Sequence, residues 1–104
     1  MEAKAMKGKF NIYCRDGEKE VSGYVCGDFG IEKVADQHWE VTHIPTGYRV
    51  TRFPFKTKRA SVLYVQALTE LIDWSSLHRE NAKGFITRSL LNQMMQINFE
   101  LFAA

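Results

Sequence analysis

Three histidines, two cysteines and a run of interleaved basic and aromatic residues are the side chains in this 104-residue sequence whose chemistry could do work. His38 and His43 stand five residues apart on either side of Trp39-Glu40-Val41-Thr42. That odd spacing sends them to opposite faces of a regular strand, so the two imidazoles cannot converge on one substrate unless a bulge intervenes. Cys26, Asp28 and a histidine supply the residue types of a nucleophile, an orienting acid and a base, yet no strand–elbow–helix sequence of the GxSxG kind surrounds them. His43 is therefore expected to be a core or turn-adjacent residue, and His78 has less support still as a catalytic group. Gly27-Asp28-Phe29-Gly30 is not followed by Lys-Ser or by a helix start, and Asp28 carries the wrong sign for a phosphate cradle. The cysteines lack CxxC spacing and the histidines are not clustered, which speaks against structural zinc. No catalytic residue, no cofactor and no metal is expected, and the chain reads as a non-enzyme.

The basic run is the stronger chemical signal. Residues 48 to 61 carry five basic and no acidic side chains, whereas residues 1 to 47 carry six basic and eight acidic, and the whole chain is only +2. Arg49, Arg52, Lys56, Lys58 and Arg59 alternate with Tyr48, Phe53 and Phe55, the mixture of phosphate-neutralising cations and stackable rings used by single-strand binders. Against that, Glu40 is placed to pair with Arg49 or Arg52, the rings could be buried, and the near-neutral balance argues for a solvated basic edge. Tyr48, Arg49, Arg52, Phe55, Lys56, Lys58 and Arg59 are accordingly candidate contacts to a protein partner or to single-stranded nucleic acid.

These residues must be positioned by a hairpin hinged on Ile44-Pro45-Thr46-Gly47, with β-type arms Trp39 to Ile44 and Tyr48 to Phe53. Its register is open at this level. A four-residue loop sets His43 opposite Tyr48 and puts Trp39, Val41, Tyr48 and Val50 on one face, with Glu40, Thr42, Arg49 and Thr51 on the other. A three-residue loop with Gly47 left-handed sets Ile44 opposite Tyr48 and leaves both faces half apolar. Patterning favours the first; the aversion of a pre-proline residue to helical backbone favours the second.

Upstream, residues 1 to 8 read as a flexible lead. Lys9 to Arg15 and Glu20 to Cys26 read as antiparallel strands joined by Asp16-Gly17-Glu18-Lys19, with Arg15 opposite Glu20 and Gly23 opposite Ile12. In that pairing Cys14 and Cys26 lie about 17 Å apart on opposite faces, so both should be free thiols. Ile31 to Val34 is a weak further strand, and Pro54 closes the sheet region, 9 to 55. Downstream, the helical part spans 57 to 104. Thr57 is the expected cap of a helix whose stripe is Ala60, Leu63, Tyr64, Ala67, Leu68, Leu71 and Ile72. Asp73 to Ser76 reads as a helix end and a new cap, and Leu77 to Gly84 as a polar stretch with room for one helical turn.

Phe85 to Phe102 reads as a second helix with an apolar excess. Ile86, Leu90, Met94, Ile97 and Leu101 form its stripe, and Leu91, Met95, Phe99 and Phe102 widen it beyond what a small sheet can cover. Either both helices lie side by side on the sheet, or these four residues form a self-association or partner surface.

The run Trp39-x-Val41-Thr42-His43-x-Pro45-Thr46-Gly47-x-x-Val50, with its basic turn and the Ala60 helix, resembles small uncharacterised phage and prophage accessory proteins. The resemblance covers about half the chain, carries no catalytic residue, and implies a compact protein that inhibits or redirects a host or defence protein by binding it. Taken together, the sequence predicts one α+β domain over residues 1–104, a four- to five-stranded antiparallel meander packed on one face by two C-terminal helices. With 45% hydrophobic residues and no apolar run of bilayer length, a cytoplasmic, non-membrane protein is expected, in the host cytoplasm if it is phage-encoded.

Overall fold

The structure, a computed structural model, describes residues 4–103. It is a five-stranded antiparallel sheet in the order β1-β2-β3-β4-β5, followed by helices. The strands are β1 (Met6–Cys14), β2 (Gly17–Cys26), β3 (Phe29–Ala35), β4 (His38–His43) and β5 (Tyr48–Arg49). β1 therefore takes in Met6 to Gly8 of the expected lead, whose residues 1 to 3 lie outside the described ones. The α+β meander read from strand alternation is the fold observed.

The first hairpin is tighter than its composition suggests. Cys14 faces Gly17, Phe10 faces Val21 and Gly8 faces Gly23, a register four residues away from the expected one. An even shift leaves every side chain on its face, so Phe10, Ile12 and Val21 still form one buried cluster, flanked by Cys14, Val25 and Ile44. Gly30 belongs to that face too, because a β-carbon there would lie 2.6 Å from the Phe10 ring. Gly23 is a relief for close packing, since its β-carbon would meet the Ile31 carbonyl. The weak strand becomes the centre of the sheet, with Phe29 and Ile31 fully buried.

The second hairpin adopts the four-residue loop, with His43 opposite Tyr48 and Thr42 opposite Arg49. The register that patterning favours is thus adopted against the local aversion of Ile44 to the turn, although Thr42, on its polar face, is buried and Tyr48, on its apolar face, is exposed. Tertiary bonds hold that turn: Ile44 N–H donates to the Asp28 carbonyl at 2.8 Å, and Gly47, left-handed at φ 75°, accepts from Tyr13 N–H at 2.7 Å. The Tyr13 bond brings the first strand round to the last loop and curls the sheet on the Phe10 cluster. β5 itself is short. After Val50, whose N–H reaches the Val41 carbonyl, the chain loops out through Thr51 to Pro54 and rejoins β4 where Phe55 pairs with Trp39.

The larger core lies on the opposite face. Cys26, Phe29, Ile31, Val41 and Phe55 pack there against α1 (Lys58–Thr69), whose first turn is capped by the Thr57 hydroxyl. The stripe of α1 is rotated from the expected one: Ser61, Tyr64, Val65 and Leu68 are buried, whereas Leu63 is exposed. Trp74 and Leu77, in the link that follows, complete this core with Leu90 and Met94. The expected Phe85–Phe102 helix is divided. A single turn, α2 (Ala82–Phe85), ends at Ile86, and α3 (Arg88–Ala103) starts afresh where the Thr87 hydroxyl accepts from Leu90 N–H. α1 covers β3 and β4, and α3 packs chiefly against α1. Among the described residues no helix is long and apolar enough to cross a membrane.

Candidate functional site

The sheet arm after the hairpin and the outer side of α3 enclose a groove of about 290 Å³. Tyr48 to Arg52 form one wall; Ile86, Leu91, Met94 and Met95 form the other; His43, Thr46 and Trp74 lie at its base. Two of the candidate sets from the sequence, Tyr48, Arg49 and Arg52 on the hairpin and Leu91 and Met95 on the helix, are thereby brought to one depression.

The base is fixed by hydrogen bonds. His43 is fully buried and edge-on to Phe29, with Nε2 at 3.0 Å from the Trp74 carbonyl and Nδ1 at 3.0 Å from the Thr46 hydroxyl. A carbonyl only accepts, so Nε2 carries the proton and, in the neutral ring, Nδ1 accepts from Thr46. Burial pushes the imidazole below its ordinary pKa, and His78 adds to this, while the Trp74 carbonyl and the Asp28 charge oppose it. Both ring nitrogens are thus engaged in tying the turn to the Trp74 segment, the core role expected of His43. Trp74 donates in turn to the Leu68 carbonyl, and Tyr64 to the Val50 carbonyl. Burial raises the Tyr64 hydroxyl well above the usual phenol range and raises the Cys26 thiol as well. Cys14 and Cys26 are free thiols; in the observed register Cys14 faces Gly17, so Cys26 lies farther along β2 than the expected pairing puts it. Among the described residues no cluster of three or more His, Cys, Asp or Glu side chains is placed to hold a metal ion.

One end of the groove is closed by Asn98. Its Oδ1 accepts from the N–H groups of Arg52 and Phe53 at 2.7 and 3.0 Å, and its Nδ2 donates to the Phe53 carbonyl at 2.8 Å. The loop that leaves the sheet after Val50 has no ladder to satisfy these groups, and one amide side chain replaces it. As a polar residue, Asn98 reads from its type alone as part of the wet side of its helix. Its spacing of four from Met94, itself four from Leu90, was the signal that it belongs to the buried line.

The basic run does not form one surface. Arg49 is tied to Glu40 and, at 2.7 Å, to Glu32, and His38 approaches the same Glu40. Lys58 lies over the Tyr24 ring at 3.6 Å. Phe55 is fully buried against Tyr64 and cannot be a contact residue. Its pairing with Trp39 points it at α1, so the expectation of a stackable ring fails there. Phe53 is taken up by Phe99 and Phe102. Tyr48 remains partly open, edge-on to Tyr13 at 5.8 Å. Arg52, Lys56 and Arg59 are exposed and make no ion pair among the described residues.

The helix set is coherent by comparison. Leu91, Met95 and Phe99 are 45, 40 and 54% exposed and follow one another at four-residue steps along α3. Phe102 is half-buried, stacked on Phe53. Comparison with protein-family models, with curated proteins and with solved structures finds no match. Geometry alone therefore supports a reading of function.

Proposed function

We propose that the chain is a non-enzymatic protein-binding module whose working surface is the groove beside Arg52 together with the Leu91, Met95 and Phe99 stripe. The stripe carries the proposal: three large apolar side chains in line on an exposed helix face, continuous with an apolar depression, are the kind of surface that marks protein contact. The occupant is another protein or a second copy of the chain, and the phage resemblance suggests a host or defence protein inhibited or redirected by this contact. Arg52 at the rim makes no ion pair among the described residues, and none of the described residues that line the groove is acidic. For single-stranded nucleic acid the geometry offers less, since Arg49 is already neutralised and Phe53 and Phe55 are withdrawn.

The test uses the immobilised chain in nuclease-treated lysate of the native host, with Met95→Glu as the matched variant and light scattering on both proteins. The reading expects a protein retained by the wild type, or a wild-type oligomer, that is lost in Met95→Glu while the fold is kept. Retention that depends on nucleic acid, or that is unchanged by Met95→Glu, overturns it.

A further inference from the structure

The closure of the sheet is incomplete, and the incomplete part has the form of a missing strand. Tyr13 N–H points away from β2 and reaches the Gly47 carbonyl at 2.7 Å. In an antiparallel ladder the backbone groups alternate between the two sides. The N–H and C=O groups of Asn11, Lys9 and Lys7, two, four and six residues earlier on the unbroken β1 ladder, therefore point to the same outer side. No backbone group among the described residues meets them there. Beside this edge lies a cleft of about 510 Å³, with Lys9, Phe10 and Asn11 on the β1 side, Glu18, Glu20 and Val25 on the β2 side, and Ile44 and Gly47 on the turn side.

We propose that the outer edge of β1 is a docking site for an extended segment of a partner protein in which acidic residues alternate with apolar ones. The alternation follows from the pleat. Residues of the incoming strand opposite Lys7 and Lys9 share the face of those exposed ammonium groups. Each residue between them turns to the opposite face, beside Phe10, Ile44 and Val25. Lys7 makes no ion pair among the described residues, and Lys9 reaches only Glu20, at 3.9 Å. The nearby Glu18 is held by Arg79 at 2.7 Å. A second copy of β1 is a poor occupant: the antiparallel pairing that uses all three positions is centred on Lys9 and sets the two Lys9 side chains against each other.

The probe is a synthetic hexapeptide alternating Glu with Val, and its control alternates Lys with Val. In the free protein the amides of Lys7, Lys9 and Asn11 exchange rapidly while those of Phe10 and Ile12 are protected. The Glu-Val peptide slows exchange at the three outer amides and produces saturable shifts there, and the Lys-Val peptide does not. Asn11→Pro removes a donor without a partner in the free chain, so it abolishes the effect while Asn11→Ala keeps it. Should Asn11→Pro lose the protection of Phe10 and Ile12, Lys7→Pro at the strand's start replaces it. The proposal is overturned by outer amides already protected in the free protein, by equal binding of both peptides, by shifts confined to α3, or by a folded proline variant that binds like wild type.

Discussion

α1 and α3 are amphipathic helices of similar composition, yet they use their apolar residues differently. α1 lies across β3 and β4 and sinks Tyr64, Val65 and Leu68 completely. α3 rests on α1 and on the loop after β5, buries Leu90, Met94 and Asn98, and leaves Leu91, Met95 and Phe99 outside. The difference teaches that a helix's own periodicity sets how wide its apolar face is, while the element opposite decides how much of that face is covered. The two strands β3 and β4 are taken up by one helix. The second is left with surplus surface.

That contrast can be broken by truncation. Leu68→Ala should cost about 3 kcal/mol in urea unfolding, the loss expected for a fully buried leucine, whereas Leu91→Ala should stay within about 0.5 kcal/mol. A comparable cost at both positions in dilute solution would mean that the α3 stripe is covered. Asn98→Ala comes next, at about 2 kcal/mol, because it strands two N–H groups and a carbonyl of the Arg52-Phe53 loop. A variant unchanged in stability would show that water replaces the amide.

The smallest effect is the dependence on pH. His43 has a folded pKa below the ordinary value of 6.5, so the unfolded chain takes the proton first. The stability contributed by neutral His43 is full above pH 6.5 and declines as the pH falls through and below it. Urea midpoints between pH 7.5 and 5 should fall, and His43→Gln should flatten the slope on a lower baseline. An identical slope in the variant would assign the dependence to other groups.

Much of this architecture is legible in the residues themselves. Alternation at Phe10, Ile12 and Val21 identifies a sheet face even though the register is four residues off, because an even slip conserves faces. Thr57 marks its helix start, and the four-residue steps of Leu91, Met95 and Phe99 mark a surplus face. What was not legible depends on partners distant in the chain. Asn98 is buried by a loop 45 residues away, Trp74 reads as a helix terminus until Phe29 and His43 surround it, and Phe55 is apolar in either setting. At Ile44 the local backbone preference and the burial pattern disagree. The register that patterning favours prevails through the bond from Ile44 to Asp28, which no window of neighbouring residues contains.

The contact between Tyr13 and Gly47 has a kinetic consequence. It spans the meander end to end, so closing it costs more chain entropy than closing either hairpin, and it is expected to form after them. A lesion there, such as a side chain at Gly47 pressing on the Tyr13 backbone, would leave the rate of folding almost untouched and shorten the lifetime of the native state.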